Sequence, residues 1–155
     1  MFRGTTKLTL DAKSRLAIPS RYRERVTALC DGQLVLTSGV NMRADDERRL
    51  ELYPLPEFEE LERKLGQLSG FDPQVRQVKS DLIGFAHECD LDGSGRILVP
   101  TELRQRAGIE RNVVLVGFGS KFELWDQAAW ERQQQQWQGQ EINPELSPDL
   151  AKLAF

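Results

Sequence analysis

The chain has 155 residues, 39% of them hydrophobic, with a formal net charge of −3 and a pI near 5.3. That length suits one domain or two small halves sharing a core. No apolar stretch approaches the roughly 18–20 residues that span a bilayer, and two cysteines, Cys30 and Cys89, with one histidine, His87, are too few for a four-ligand zinc site. The opening residues Met1 to Lys7 lack the apolar run of a secretory signal, so a soluble, intracellular protein with reduced thiols is expected.

In chain order, residues 7–11 and 15–19 alternate apolar with polar side chains, the period-two signature of strands. Leu8, Leu10, Leu16 and Ile18 fall on one face, and Thr9, Asp11, Arg15 and Ala17 on the other. Ala12-Lys13-Ser14 between them predicts a tight hairpin. Pro19 ends the second strand, and Ser20 stands where a short helix with Tyr22 turned inward would begin. Residues 34–37 and 50–53 read as two further strands, joined by a polar loop over residues 39–49. The unit is β-β-α-β-β.

Two helical patterns follow. Phe58, Leu61, Leu65 and Leu68 recur at helical spacing, as do Val75, Val78, Leu82 and Phe85, with His87 placed in the continuation of the second helix. Asp72 as cap and Pro73 at the first helical position mark the break, predicting an antiparallel helical hairpin. Then the first unit returns: Asp11, Arg15, Pro19, Arg23 and Arg25 recur as Asp92, Arg96, Pro100, Arg104 and Arg106, each 81 positions later. Gly93-Ser94-Gly95 forms the second turn, its glycines supplying positive φ, and Thr101 and Leu103 take the places of Ser20 and Tyr22. Such duplication implies one supersecondary module used twice, neither copy closing a core alone. Asp126 is a candidate cap for a helix carrying Trp130 and Trp137 as a packing stripe, and the stretch with Pro144 and Pro148 ends as a loose tail or short terminal helix. The expected divisions are residues 5–53 as the first module, 54–81 as helical connector, 82–125 as the second module and 126–155 as helix and tail.

Charge is unevenly placed. Residues 1–25 hold seven bases (Arg3, Lys7, Lys13, Arg15, Arg21, Arg23 and Arg25) against two acids, Asp11 and Glu24, on an otherwise acidic chain. A local basic head is what a polyanion senses, whatever the mean charge. Arg15, Arg3, Lys13 and Lys7 are therefore the candidate DNA contacts, with Arg15 able to hold a phosphate or a guanine edge through two hydrogen bonds. Asp11 and Asp92 are read as turn braces, and Arg96 as structural, because the second copy replaces Lys7 and Lys13 with Glu88 and Ser94.

These residues carry a resemblance. Met1-Phe2-Arg3-Gly4, Leu10-Asp11 with Arg15-Leu16, Pro19-Ser20-Arg21-Tyr22-Arg23-Glu24, Leu52-Tyr53-Pro54-Leu55-Pro56 and Lys121-Phe122-Glu123-Leu124-Trp125-Asp126 resemble the MraZ family of bacterial transcriptional regulators, built from two SpoVT-AbrB-type swapped-hairpin modules. The resemblance implies an α+β intrachain pseudo-dimer, with a helical hairpin between its modules and a C-terminal helix. It also implies a cytoplasmic, nucleoid-associated protein that assembles into rings. Such a protein represses its own division and cell-wall gene cluster through short G-rich direct repeats in promoter DNA. The family's Asp-x-x-x-Arg motif falls on Asp11 and Arg15 and on Asp92 and Arg96, and its N-terminal arginine on Arg3. No cofactor, metal, membrane or small-molecule substrate is expected.

Three other readings stay open. An AbrB-type antitoxin would bind a toxin and repress its own operon, though its tail would be longer than the one after Trp137. A purely structural oligomer would leave the basic head as a solvated edge. An enzyme is least supported: there is no phosphate-cradling glycine loop, and His87 has no partner in the sequence pattern. The acids of residues 57–62 and the glutamines of 133–136 suit solvated helix faces, and Cys30 and Cys89 suit the core.

Overall fold

The computed structural model describes residues 1–40, 48–143 and 147–153; most of the polar loop expected over residues 39–49, and Pro144 of the tail, lie outside these. The first repeat comprises β1 (Phe2–Thr9), β2 (Arg15–Ala17), α1 (Ser20–Cys30), β3 (Gln33–Ser38) and β4 (Leu50–Pro54). Helices α2 (Leu55–Gly66) and α3 (Pro73–Leu82) follow. The second repeat comprises β5 (His87–Asp90), β6 (Arg96–Leu98), α4 (Thr101–Arg106), β7 (Asn112–Gly119) and β8 (Phe122–Asp126), and α5 (Gln127–Gln138) and α6 (Pro148–Ala151) end the chain.

Both turns form, but their arms diverge instead of closing a hairpin. β1 pairs antiparallel with β7 from Phe2↔Gly119 to Thr9↔Asn112, β5 pairs with β3, and β2 pairs with β6 through Leu16↔Ile97. The resulting sheet runs β1-β7-β8-β4-β3-β5, with β2 and β6 as a separate two-stranded ribbon. Each repeat thus completes its sheet with a strand of the other, which makes the α+β chain an intrachain pseudo-dimer. Period-two alternation specifies which face of a strand is apolar, not which strand it pairs with. Burial decides the partner here: Leu10, Leu16, Ile18, Ile97 and Val99 are at most 2% exposed in one core drawn from both repeats.

The pseudo-twofold axis passes between β4 and β8, where Glu51 lies opposite Glu123. Like charges directly opposed destabilise a sheet. Here they are offset by Arg49, whose Nε is 3.1 Å from Glu123 Oε2, and by Lys121, whose Nζ is 2.8 Å from Glu51 Oε1. Tyr53 Oη donates to Glu51 at 2.7 Å and Trp125 Nε1 to Glu123 at 3.1 Å. This polar seam divides the second face of the sheet into two apolar patches. One is Val35, Tyr53 and Phe58 with α2; the other is Val114, Val116, Trp125 and Ala129 with α5.

Several local expectations change. Pro19 and Pro100, not Ser20 and Thr101, occupy the N-cap positions, and neither helix has a side-chain cap; proline presets the entry angle without one. Asp126 precedes α5 without capping it and instead accepts from the Glu110 N–H at 3.3 Å. Asp72 does cap α3, accepting from Gln74 N at 2.9 Å. The second helical pattern stops at Leu82, so His87 opens strand β5, where it pairs with Leu36. α2 and α3 both pack on β3. Trp130 stacks edge-on against Trp125 at 5.6 Å as expected of a packing residue, whereas Trp137, two turns on, is half exposed.

Candidate nucleic-acid interface

The two Asp-x-x-x-Arg turns meet at one edge of the molecule, because β2 and β6 pair with Arg15 opposite Leu98 and Ala17 opposite Arg96. Each turn is closed by its aspartate. Asp11 Oδ1 accepts from the N–H groups of Lys13 and Arg15, both at 2.9 Å, and Oδ2 accepts from Arg15 Nε at 2.7 Å. Asp92 repeats the pattern with Ser94 N at 2.8 Å, Arg96 N at 2.9 Å and Arg96 Nε at 3.2 Å. The carboxyls of both are held below the usual range, each chiefly by the N–H of the arginine four residues on. Ser14 at φ 60° and Gly95 at φ 73° take the left-handed step that lets each turn close.

The turns also hold one another. Ile18 N donates to the Gly95 carbonyl and Val99 N to the Ser14 carbonyl, both at 2.9 Å. Arg96 Nη1 reaches Asp11 Oδ2 at 3.6 Å, so Arg15 and Arg96 flank the same carboxylate with about a third of each side chain exposed. Behind this edge Arg23 Nε donates to the Ile18 carbonyl at 2.6 Å. Lys13 stands exposed on the first turn, and among the described residues no carboxylate pairs with it.

The four bases singled out from the sequence fall in three places. Lys13 and Arg15 share the turn edge, and Arg96 joins them there. Lys7 lies on the outer side of β1, its Nζ 3.7 Å from Glu131 of α5. Arg3 stands eight residues from Asp11, at most roughly 27 Å along the strand, and lines a recess with Arg21, Tyr22 and Arg25. Arg21 and Arg25 belong to the basic head but not to the candidate contacts; their i, i+4 spacing on a helix was the available signal. The Glu51–Glu123 seam has no counterpart in the amino-acid order, since nothing there says that two distant glutamates face each other.

Elsewhere the chemistry is quiet. Cys30 and Cys89 are free and buried, and burial pushes the Cys89 thiol up to about 12. Among the described residues no group of three His, Cys, Asp or Glu side chains is placed to hold a metal ion, and no helix is long and apolar enough to cross a membrane.

Two interlocked β-β-α-β-β repeats presenting twin Asp-x-x-x-Arg turns on a single edge define a pseudo-dimeric module built to offer arginines side by side. Comparison with known proteins then gives the family. The model described as "MraZ protein, putative antitoxin-like" matches residues 1–81 and again 82–145, and the chain belongs to the MraZ family. A relative from Methylococcus capsulatus is 46% identical over 158 residues and one from Nitrosococcus oceani 49% over 155, each covering 100% of both chains. A third, from Nitrosomonas eutropha, is 50% identical over 131 residues, 84% of both chains. All three bear the name transcriptional regulator MraZ, a family of regulators and not of enzymes.

Proposed function

We propose that this chain is a DNA-binding transcriptional regulator that uses the paired-turn edge to contact duplex DNA. The observation that carries the reading is the convergence of Lys13, Arg15 and Arg96 on one edge, with Asp11 shared between the two arginines. Planar guanidiniums prepositioned by a carboxylate suit bidentate bonds to guanine or phosphate. Arg15 is neutralised by one shared carboxylate, whereas Arg96 lies between Asp92 and Asp11. Arg15 is therefore the principal contact and Arg96 the more structural of the two.

Three bases against two acids leave the edge a net charge of about +1, too little for tight binding by one subunit, since affinity follows the number of phosphates neutralised. Self-association supplies the rest. A ring presenting several edges to repeated sites binds them at high effective concentration. This fits a cytoplasmic, nucleoid-associated repressor of its own division and cell-wall cluster acting on short G-rich direct repeats. The expectation is that Arg15→Ala abolishes a gel shift on the upstream region of the protein's own gene at unchanged oligomer mass, while Arg96→Ala weakens it less. Equal loss in both variants at unchanged mass would remove the distinction, and no shift with wild-type protein would remove the reading. The antitoxin-like description of the matched family keeps a second reading in view, for which a stoichiometric toxic partner co-purifying with the chain is the deciding observation.

A further inference from the structure

Two guanidiniums of α1, those of Arg21 and Arg25, line one recess on the first repeat, with the Arg3 carbonyl at its floor. The recess, about 310 Å³, is lined by Arg3 of β1 and by Arg21, Tyr22 and Arg25 of α1. Arg21 Nη2 donates to Thr6 Oγ1 at 2.5 Å and to Tyr22 Oη at 3.0 Å, and Arg25 Nη1 donates to the Met1 carbonyl at 2.6 Å. Tyr22 Oη in turn donates to the Arg3 carbonyl, tying strand to helix at the floor. These partners are neutral: they orient the arginines and leave the charge uncompensated. Among the described residues no carboxylate pairs with Arg21 or Arg25.

The second repeat provides the control. The positions 81 residues on from Arg21 and Arg25 are Glu102 and Arg106, on α4. Arg106 is already satisfied by Asp81 at 2.8 Å and lies over the Phe85 ring at 3.9 Å, while Glu102 faces His87 at 3.9 Å. Matching helices thus carry an open cationic pair in one copy and a neutralised one in the other. Packing cannot require the pair, because the second copy folds without it. Two like charges beside one concavity repel one another unless an anion sits between them, and guanidiniums match the oxygens of a phosphate best.

We propose that the Arg21–Arg25 recess is a phosphate-binding site distinct from the turn edge. Its ligand is a phosphate group, either of the DNA backbone or of a free phosphorylated small molecule. The recess stands at most roughly 27 Å of strand from Asp11, about the rise of eight base pairs, so one duplex can span both places.

The experiment uses the full chain and its Arg21→Ala/Arg25→Ala double variant, with urea midpoints to confirm that both fold. In the first arm, melting temperature is followed against inorganic phosphate and pyrophosphate at constant ionic strength with chloride as reference. In the second, binding to the upstream DNA is measured at several salt concentrations. We expect the wild type to be stabilised by the phosphates and the double variant not, with Arg21→Lys/Arg25→Lys recovering part of the response. A salt slope shallower by about 1.8, from two lost contacts at about 0.9 each, identifies the DNA backbone as the source. Loss of the phosphate response at an unchanged slope identifies a free phosphorylated ligand. The second arm rests on the regulator reading and the first does not, so failure of wild-type protein to bind DNA leaves the first arm to decide. The proposal is overturned if the double variant matches the wild type in both arms. It is equally overturned if the variant changes only oligomer mass, which would give the recess to carboxylates of a second copy.

Discussion

Gly95→Ala tests how the candidate edge is built. Gly95 sits at φ +73° on the second turn, and an added Cβ would stand 2.4 Å from Arg23 Nε and 2.7 Å from its Cδ. The left-handed backbone costs an alanine about 1–2 kcal/mol. Arg23 cannot simply swing away, because its Nε holds the Ile18 carbonyl at 2.6 Å. Losing a hydrogen bond from a charged donor costs about 1.5–3 kcal/mol, so a destabilisation of about 2.5–5 kcal/mol is expected, a large share of the ~5–15 kcal/mol typical of a folded domain. Urea unfolding followed by tryptophan fluorescence reads this as a lower midpoint at unchanged m, because Trp125 and Trp130 lie on the far side of the sheet. Ser14→Gly at the matching position, φ 60°, relieves strain at the expense of chain entropy and shifts stability by less than about 1 kcal/mol. If Gly95→Ala unfolds within about 0.5 kcal/mol of wild type, Arg23 does not lock the turn and the reasoning is wrong.

Lys121→Met leaves Glu51, whose side chain is 3% exposed, with Arg49 at 3.4 Å as its remaining cation among the described residues. A loss of about 3 kcal/mol is expected from breaking a buried pair, part of it restored by adding Glu51→Gln; no restoration in a double-mutant cycle counts against the seam. The lowered pKa values of Asp11 and Asp92 favour the folded state above their ordinary value near 3.8, and that contribution disappears as pH falls below it through the depressed folded values. Carboxyl NMR titration checks this, and a midpoint for either residue at or above 3.8 contradicts it. With its thiol buried and its pKa pushed up to about 12, Cys89 is expected to resist maleimide at pH 8 until urea unfolds the chain. Prompt native labelling would show that β5 opens.

Much was legible in the amino-acid order. The 81-residue echo of Asp11, Arg15 and Pro19 announces a module used twice, alternation at Leu10, Leu16 and Ile18 marks the core-facing side, and Asp72-Pro73 marks the start of α3. Apart from the repeat itself, these signals are local, set by backbone geometry within a few residues. The helical reading of His87 failed because Val75, Val78, Leu82 and Phe85 keep helical spacing past the true end at Leu82, where pairing with β3 takes the chain over.

What the chain by itself determined is therefore the inventory: two braced turns, their arginines and the apolar faces that must be covered. Tertiary structure alone decided the company those residues keep. Crossing the repeats set Arg96 beside Asp11, put Glu51 against Glu123, and laid β1 along β7 so that Arg3 stands away from Arg15. The reason is physical: side-chain periodicity encodes direction, while partnership depends on which long-range pairing buries Leu10, Leu16 and their counterparts at once, a property of the whole core and not of any segment.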